Sequence, residues 1–506
     1  MSRAVSRGAA ADGPIVSGGP IVSGGSRPDT ANTPWGPQTA LAITNFPISG
    51  EPVPAEVIRA LAEIKSAAVL VNLRHALVPY RTAMAIAAAS DELVDELERG
   101  ESLDQFPVDV FQTGSGTSTN MNVNEVIAKR ASLRLGADVH PNDQVNASQS
   151  SNDTFPTALR IAAARLVVHD LVPSLSALAA SLRELAGRHR TTVKTGRTHL
   201  MDAVPMTFGQ ETAGWARAVE LGIERLEAAL PRVLELPIGG TAVGTGLNAP
   251  VGFGASVAGL LRRRTGLAVS EAVDHMEAQS THDAIVELSG VTKVVALSLH
   301  KIAGDIRLLG SGPVGGLAEV RVPALQAGSS IMPGKVNPVI AEAVQQVAAQ
   351  VVGNDATITF AATMSTLQLN TAAPVIARSI VSSLSLLARA AETLDRRCIR
   401  DLEVDADRMR SIALRSPALV TALAPHLGYE AAADLVHRAV TEGRSLGEVA
   451  LEAGVPAELV AASTDLLRLA GVEDDPNRTD PNRPDPTGTD PNRPGRHHQR
   501  RHAAPS

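Results

Sequence analysis

Apolar residues recur every three or four positions through most of the chain, the spacing of helices that bury one face. The pattern runs from about Ala55 to Glu98, stops at Gly100 and resumes over Val123–Leu135. Three longer stretches follow, Thr157–His189, Phe208–Leu230 and Ala272–Leu309, of about 23 to 38 residues or ~35–57 Å of helix. Pro173 is expected to interrupt the first, since proline offers no amide to the preceding turn. Val339–Gln350 is another strongly helix-forming run. Within the third stretch, Val291–Leu299 is apolar on most faces and needs neighbours all round. One protomer does not supply them, which predicts a helical bundle shared between subunits. Beyond Asn370 the helices shorten; Ser416–Gly428 opens with Ser-Pro, a helix-start signal, and Tyr429–Gly454 follows. The fold class expected is all-α.

The ends of the chain lack this periodicity. Residues 1–34 are rich in Gly, Ser, Ala and Pro and carry GPIVSG twice in tandem, so they read as a disordered leader. The last stretch repeats Asp-Pro-Asn-Arg from positions 475, 480 and 490 and ends in a His/Arg-rich segment; at that proline density it reads as a disordered tail over 475–506. Between them the pattern divides into an N-terminal α domain (35–149), a central long-helix domain (150–405) and a small C-terminal α domain (406–474).

Composition narrows the class. Hydrophobic residues make up 44% and charged ones 20%, as in ordinary globular proteins, while aromatics are only 2%, which favours helix-on-helix packing over a β-sandwich. A net charge of −7 without a long basic stripe in the folded region speaks against nucleic acid. One cysteine, Cys398, permits neither an internal disulfide nor a cysteine metal cage and fits a reducing cytoplasm. No apolar run of about eighteen residues free of charge is found, so no membrane partner is expected.

Polar segments interrupt the helical pattern, and they hold the candidate chemistry. In Gly328–Pro338 (GSSIMPGKVNP) glycine and proline keep the chain irregular while packing two hydroxyls, an ammonium and a carboxamide just ahead of a helix. A phosphate loop would need four residues between its glycines and a Ser or Thr after the lysine; here five intervene and Val336 follows Lys335. Phe111–Asn122 (FQTGSGTSTNMN) lacks the third glycine of a dinucleotide fingerprint, since position 119 is threonine. It reads either as a solvated turn or as an anion site of hydroxyls and amides at a helix N-terminus. Ser148–Asp153 is a similar polar step before a helix. His140 and Asp143 are poorly spaced as metal ligands because Pro141 intervenes. Lys194–Asp202 holds His199 in a turn, and Gly239–Asn248 reads as a tight, backbone-rich turn of structural role.

These segments together resemble the fumarase/aspartase superfamily, and within it the class II fumarases. GSSIMPGKVNP is similar to the signature loop without a gap, QTGSGT with Asn120-Met121-Asn122 to the first signature region, Ser150-Ser151-Asn152 to the second, and Gly196-Arg197-Thr198-His199 to the fumarase form of the third. Asn45–Gly50 and Trp35–Thr39 resemble further family segments. The likeness covers roughly residues 35–472. It implies a fold whose central helices form one bundle from four chains, with active sites shared across a homotetramer. It also implies reversible hydration of fumarate to L-malate, a small dicarboxylate pair, with no metal or organic cofactor.

Residue by residue, the resemblance implies Ser329 as the base that takes the carbon-bound proton and His199, backed by Glu342, as the acid for the leaving hydroxyl. It implies substrate contacts from Ser115, Gly116, Thr117, Ser150, Ser151, Asn152, Thr198, Ser330, Lys335, Val336 and Asn337. A secondary dicarboxylate site is implied at His140, Pro141, Asn142 and Asp143. The chemistry is consistent: the intermediate carries a second negative charge on the carboxylate, which preorganised donors stabilise, and histidine changes charge near neutral pH. Two features depart from the pattern. The acidic segment that fumarases carry near the N-terminus is replaced by the repeat leader, and Thr366–Asn370 (TLQLN) stands nearer the aspartase form. An aspartate ammonia-lyase and a non-catalytic structural relative are the competing readings; His199, where aspartases tend to have glutamine, favours water over ammonia.

Overall fold

The computed structural model describes residue 30 and residues 32–472; the repeat leader and the Asp-Pro-Asn-Arg tail lie outside them apart from the leader's last few residues. The described chain forms two compact units. The first comprises residues up to Arg188 together with Thr212–Asp405; the second comprises His189–Glu211 and the segment from Ala406 onward.

In the first unit the leading helices are α1 (Pro37–Asn45), α2 (Ala55–Arg74), α3 (Tyr80–Glu98) and α4 (Thr117–Leu135). The single stretch expected from Ala55 to Glu98 is two helices, because Pro79 lies between them and supplies the N-cap position of α3. α4 begins six residues earlier than its apolar pattern. Gly116, at φ 76°, turns the chain into it, and the Gln112 side-chain oxygen accepts from Thr119 N at 2.9 Å.

Then come α5 (Ser151–Leu166), α6 (Val172–Arg188), α7 (Phe208–Val233), α8 (Phe253–Thr265), α9 (His275–Ser280), α10 (Asp283–Leu309), α11 (Val339–Ala362) and α12 (Ala373–Leu394). α5 and α6 are joined through a π-helical turn at Val167–Leu171, so Pro173 meets a local widening and does not break the rod. Residues 281–282 separate α9 from α10, where one stretch was expected.

The core of this unit is a coiled-coil-like set of long helices. Along α10 the buried positions Ile285, Leu288, Thr292, Val295, Leu299, Ile302, Ile306 and Leu309 alternate spacings of three and four. α11 answers with Ala341, Val344, Ala348, Val351, Asp355 and Ile358, and α12 packs against both α11 and α10. Asp355, inside this seam, accepts from Ser289 Oγ at 2.8 Å and from Lys293 Nζ at 2.6 Å, so its carboxylate is paired where the seam would otherwise be apolar. Two stretches, Ser151–Arg188 and Ala373–Ile399, are long and apolar enough to cross a bilayer by composition. Here they are core helices, half and two-thirds buried, and Arg165 on the first binds the buried Glu63 of α2 through both carboxylate oxygens at 2.8 Å.

The second unit holds the main β-structure. β1 (Val193–Thr198) and β2 (Met201–Thr207) pair antiparallel, and the register slips between Thr195 and Arg197. The slip falls at Gly196, where a Cβ would stand 2.7 Å from Val204 O. Val193 joins Ala413, Leu419, Leu435, Val449 and Leu466 in a small core built from α13 (Ala406–Arg415), a 3₁₀ turn at Pro417–Ala422 and the short helices after it. Ser416 caps that turn, its hydroxyl accepting from Ala418 N at 3.3 Å, as its Ser-Pro start implied. Helix-on-helix packing therefore holds as the fold class, with short two-stranded pairs added.

Candidate active site

Four elements carry the expected site residues. The first is the N-terminus of α4. Ser115 and Gly116 are buried; Ser115 Oγ lies 2.7 Å from Thr117 Oγ1, which lies 2.6 Å from Ser151 Oγ at the start of α5. Three hydroxyls from two helix N-termini thus form one chain, where exposed amides and the helix dipoles favour an anion. Gly116 serves sterically: a Cβ there would stand 2.2 Å from the Phe155 ring.

The second element is the Ser150–Asn152 turn. Ser150 caps α5, its hydroxyl accepting from Asn152 N at 3.2 Å while its own amide donates to Asp153 Oδ1 at 2.9 Å. Ser150 is thereby engaged in holding the turn, and Ser151 and Asn152 are the side chains presented at the helix start. Asn152 Nδ2 donates to Ala242 O at 2.8 Å, tying the turn to the Gly239–Asn248 loop.

The third element is the Gly328–Pro338 loop. Its ends are stapled: Gly328 N donates to Lys335 O at 3.1 Å, and Asn337 Nδ2 donates to Gly328 O at 2.6 Å. Asn337, expected as a substrate donor, thus spends one N–H on loop closure. Ser329 Oγ accepts from the amides of both Ile331, at 3.2 Å, and Met332, at 3.1 Å. Ser330, Lys335 and Val336 are exposed. Glu342 follows in the first turn of α11 with Arg307 Nη2 3.8 Å away. Among the described residues of the first unit, no hydrogen bond joins this loop to the Ser115–Thr117–Ser151 chain.

The fourth element is the β1–β2 hairpin of the second unit. Thr198 ends β1, and His199 and Leu200 form the two-residue turn, both at positive φ, 55° and 63°. Two left-handed residues make the I′ geometry that matches strand twist. All three residues are exposed.

The expected secondary site lies in a π-helical turn, Pro141–Val145. His140 Nδ1 accepts from Asp143 N at 3.1 Å and lies 3.2 Å from the Asp143 carboxylate. Asn142 and Asp143 are exposed. No three His, Cys, Asp or Glu side chains converge as a metal site among the described residues.

A group not foreseen stands behind the turn. Lys65 of α2 is wholly buried, and its Nζ donates to Asn120 Oδ1 at 2.7 Å, Asn146 Oδ1 at 2.8 Å and Gln149 Oε1 at 3.0 Å. Burial lowers its pKa to about 7, the Asp153 charge opposing. Asp153, also buried, accepts from Ser150, Gly239 and Thr241 amides at 2.9, 3.1 and 3.0 Å; burial nonetheless raises its pKa to about 6. The available signal was a lysine, with Glu63 and Ser66, inside the otherwise apolar run Ala60–Val71.

Residues 25–353 match a family model described as Lyase, and residues 419–471 one described as Fumarase C C-terminus. A "Fumarate hydratase class II" of Corynebacterium efficiens is 49% identical over 421 residues, 83% of this chain and 88% of that protein. One of Mycobacterium tuberculosis is 50% identical over 422 residues, with the same shares. Among solved structures, recombinant class II fumarase from Schistosoma mansoni superposes with a TM-score of 0.84 at 35% identity, covering 87% of this chain and 96% of that one.

Proposed function

The chain belongs to the lyase family, alongside its class II fumarate hydratases, and we propose that it catalyses the reversible hydration of fumarate to L-malate with Ser329 as the carbon-proton base. The observation that carries the base assignment is the pair of amides aimed at Ser329 Oγ. An ordinary hydroxyl is far too weak a base for a carbon acid, so its alkoxide must be stabilised where it forms. Two N–H donors supply that, joined in this reading by the Lys335 ammonium of the same loop, whereas Ser330 has no such pair among the described residues. Ser330 and Lys335 then take the substrate carboxylate, together with Ser115, Thr117, Ser151, Asn152 and Thr198. As the carboxylate acquires its second charge, hydroxyls and helix N-termini already in place stabilise it without reorganisation.

His199, with Glu342 behind it, protonates the leaving hydroxyl in the dehydration direction and removes water's proton in hydration. We assign these sites to a homotetramer in a cytoplasmic setting, each site drawing on more than one chain. His140–Asp143 remains a candidate secondary dicarboxylate site.

The test is an assay of the purified protein with L-malate, followed by absorbance of the fumarate double bond, beside L-aspartate followed by ammonia release. Malate turnover should dominate, and faster ammonia release would reject the hydratase reading. Ser329→Ala should lower turnover by roughly 10²–10⁴-fold, the contribution of a general base, with binding of succinate retained. Ser330→Ala should mainly weaken that binding, and the reverse pattern would exchange the two roles.

A further inference from the structure

The Lys65 ammonium lies behind the catalytic surface, out of contact with solvent, and no step above uses it. A neutral amine has two N–H donors, whereas three amide oxygens converge here within 3.0 Å, the complement of an ammonium. The orientation of those amides is set independently. Asn146 Nδ2 donates to Gln149 O at 3.2 Å, Gln149 Nε2 to Ala147 O at 3.1 Å, and Asn120 Nδ2 to Asn146 Oδ1 at 3.1 Å. The segment from Asn146 to Gln149 therefore wraps the charge, and the next residues are Ser150, Ser151 and Asn152. On the far side of that turn the Asp153 carboxylate binds the Ser150 amide and two amides of the Gly239–Asn248 loop. The turn is thus held between a buried cation and a buried anion, each with its hydrogen-bonding capacity engaged.

Burying a lysine is costly unless the charge is compensated, and an apolar side chain would pack in α2 more cheaply. Stability alone therefore does not account for a lysine here. We propose that Lys65 is a positioning residue for the reaction: its ammonium holds the Asn146–Gln149 segment, and through it Ser151 and Asn152, in the geometry that receives the substrate carboxylate. The proposal rests on the assignment of Ser151 and Asn152 to substrate binding.

The experiment is a double-mutant cycle on the full-length protein below pH 7, where Lys65 is mainly the ammonium, reading KM and kcat for L-malate and the inhibition constant of succinate. Lys65→Met should raise KM and the succinate constant on the order of tenfold while kcat falls much less, the pattern of lost binding common to ground and transition states. Combined with Ser151→Ala, its effect should be largely absorbed, because both changes remove one binding arrangement; combined with Ser330→Ala, the effects should multiply. A purely structural lysine would lower the amount of active protein and leave KM and both couplings unmoved. Should Lys65→Met fail to fold, Asn146→Ala, which removes one acceptor and keeps the lysine, carries the same expectations. An unchanged KM in the folded variant, or effects that multiply with Ser151→Ala, overturns the proposal. If Ser151→Ala itself leaves KM and the succinate constant unchanged, the substrate assignment falls and the positioning role falls with it. If Ser151→Ala is impaired and Lys65→Met is not, only the positioning role falls.

Discussion

Single residues divide here by how much their chemistry depends on being out of water. Ser329 and His199 sit where solvent reaches them, and their types and neighbours were readable from the chain itself. Lys65 and Asp153 matter because they are buried, and burial at one position is not written in local sequence. The spacing that places Lys65 among Ala60, Leu61, Ile64 and Ala68 was visible, yet a lysine on a helix is ordinarily a solvated one. Their shifted pKa values carry a sign. Lys65 is lowered to about 7, so between about 7 and the ordinary lysine value the unfolded chain binds more protons than the native one. Stability from this group therefore rises with pH across that window. Asp153 is raised to about 6, so from its ordinary value up to about 6 the native state binds more, and stability from this group falls as pH rises. The stability of the wild type relative to Lys65→Met should accordingly increase from pH 7 to pH 9, and relative to Asp153→Asn it should decrease from pH 4 to pH 6. Denaturant melts at matched ionic strength measure both differences; slopes of the opposite sign would mean that the burial cost is not the larger influence on either group.

At the scale of elements, helix existence was legible and helix ends were not. The three-and-four spacing of α10 and α11 is long and regular, so it survives any local exception. The start of α4 was missed by six residues because Thr117–Asn122 is polar, and what makes it helical is the left-handed Gly116 and a cap from Gln112, a side chain seven residues before its acceptor's partner. The β1–β2 hairpin was expected only as a turn, since its strands are short and one is interrupted at Gly196. That turn stores strain. His199 and Leu200 both sit at positive φ, where a side chain costs roughly 1 kcal/mol or more. Leu200 is 73% exposed, so little packing offsets the cost. Leu200→Gly should raise the stability of the second unit by several tenths of a kcal/mol, the strain relieved less glycine's larger unfolded-state entropy. Thermal melts of the two proteins read this directly. A lower melting temperature in the variant would mean that glycine's unfolded-state entropy outweighs the strain relieved.

The whole molecule leaves apolar surface on the helices that form its core. On α10, Val294, Leu297 and Leu308 are exposed while the opposite seam is closed, and on α11 Val352 and Phe360 are exposed, Phe360 by 69%. Long helices with a second apolar face call for a second layer of helices. Further copies of this chain would provide it, as the run Val291–Leu299 suggested from sequence. The candidate groups are distributed in a way that suits such an assembly: the Thr117 hydroxyl chain opens α4, Lys335 precedes α11, and His199 sits on a hairpin of the other unit. If sites are completed between subunits, two different defects can be separated onto different chains. With Ser329 as the proposed base and His199 as the proposed acid, Ser329→Ala and His199→Asn should each be nearly inactive alone. In a tetramer mixed at random from equal amounts, some sites draw the intact loop from one chain and the intact hairpin from another. Activity should therefore reappear after unfolding and refolding the two together, up to about a quarter of wild type when each site needs one intact group from each of two independent chains. Mixed tetramers, identified by a charge tag on one variant, would be isolated and assayed. Inactive mixed tetramers would mean that Ser329 and His199 of one site come from the same chain.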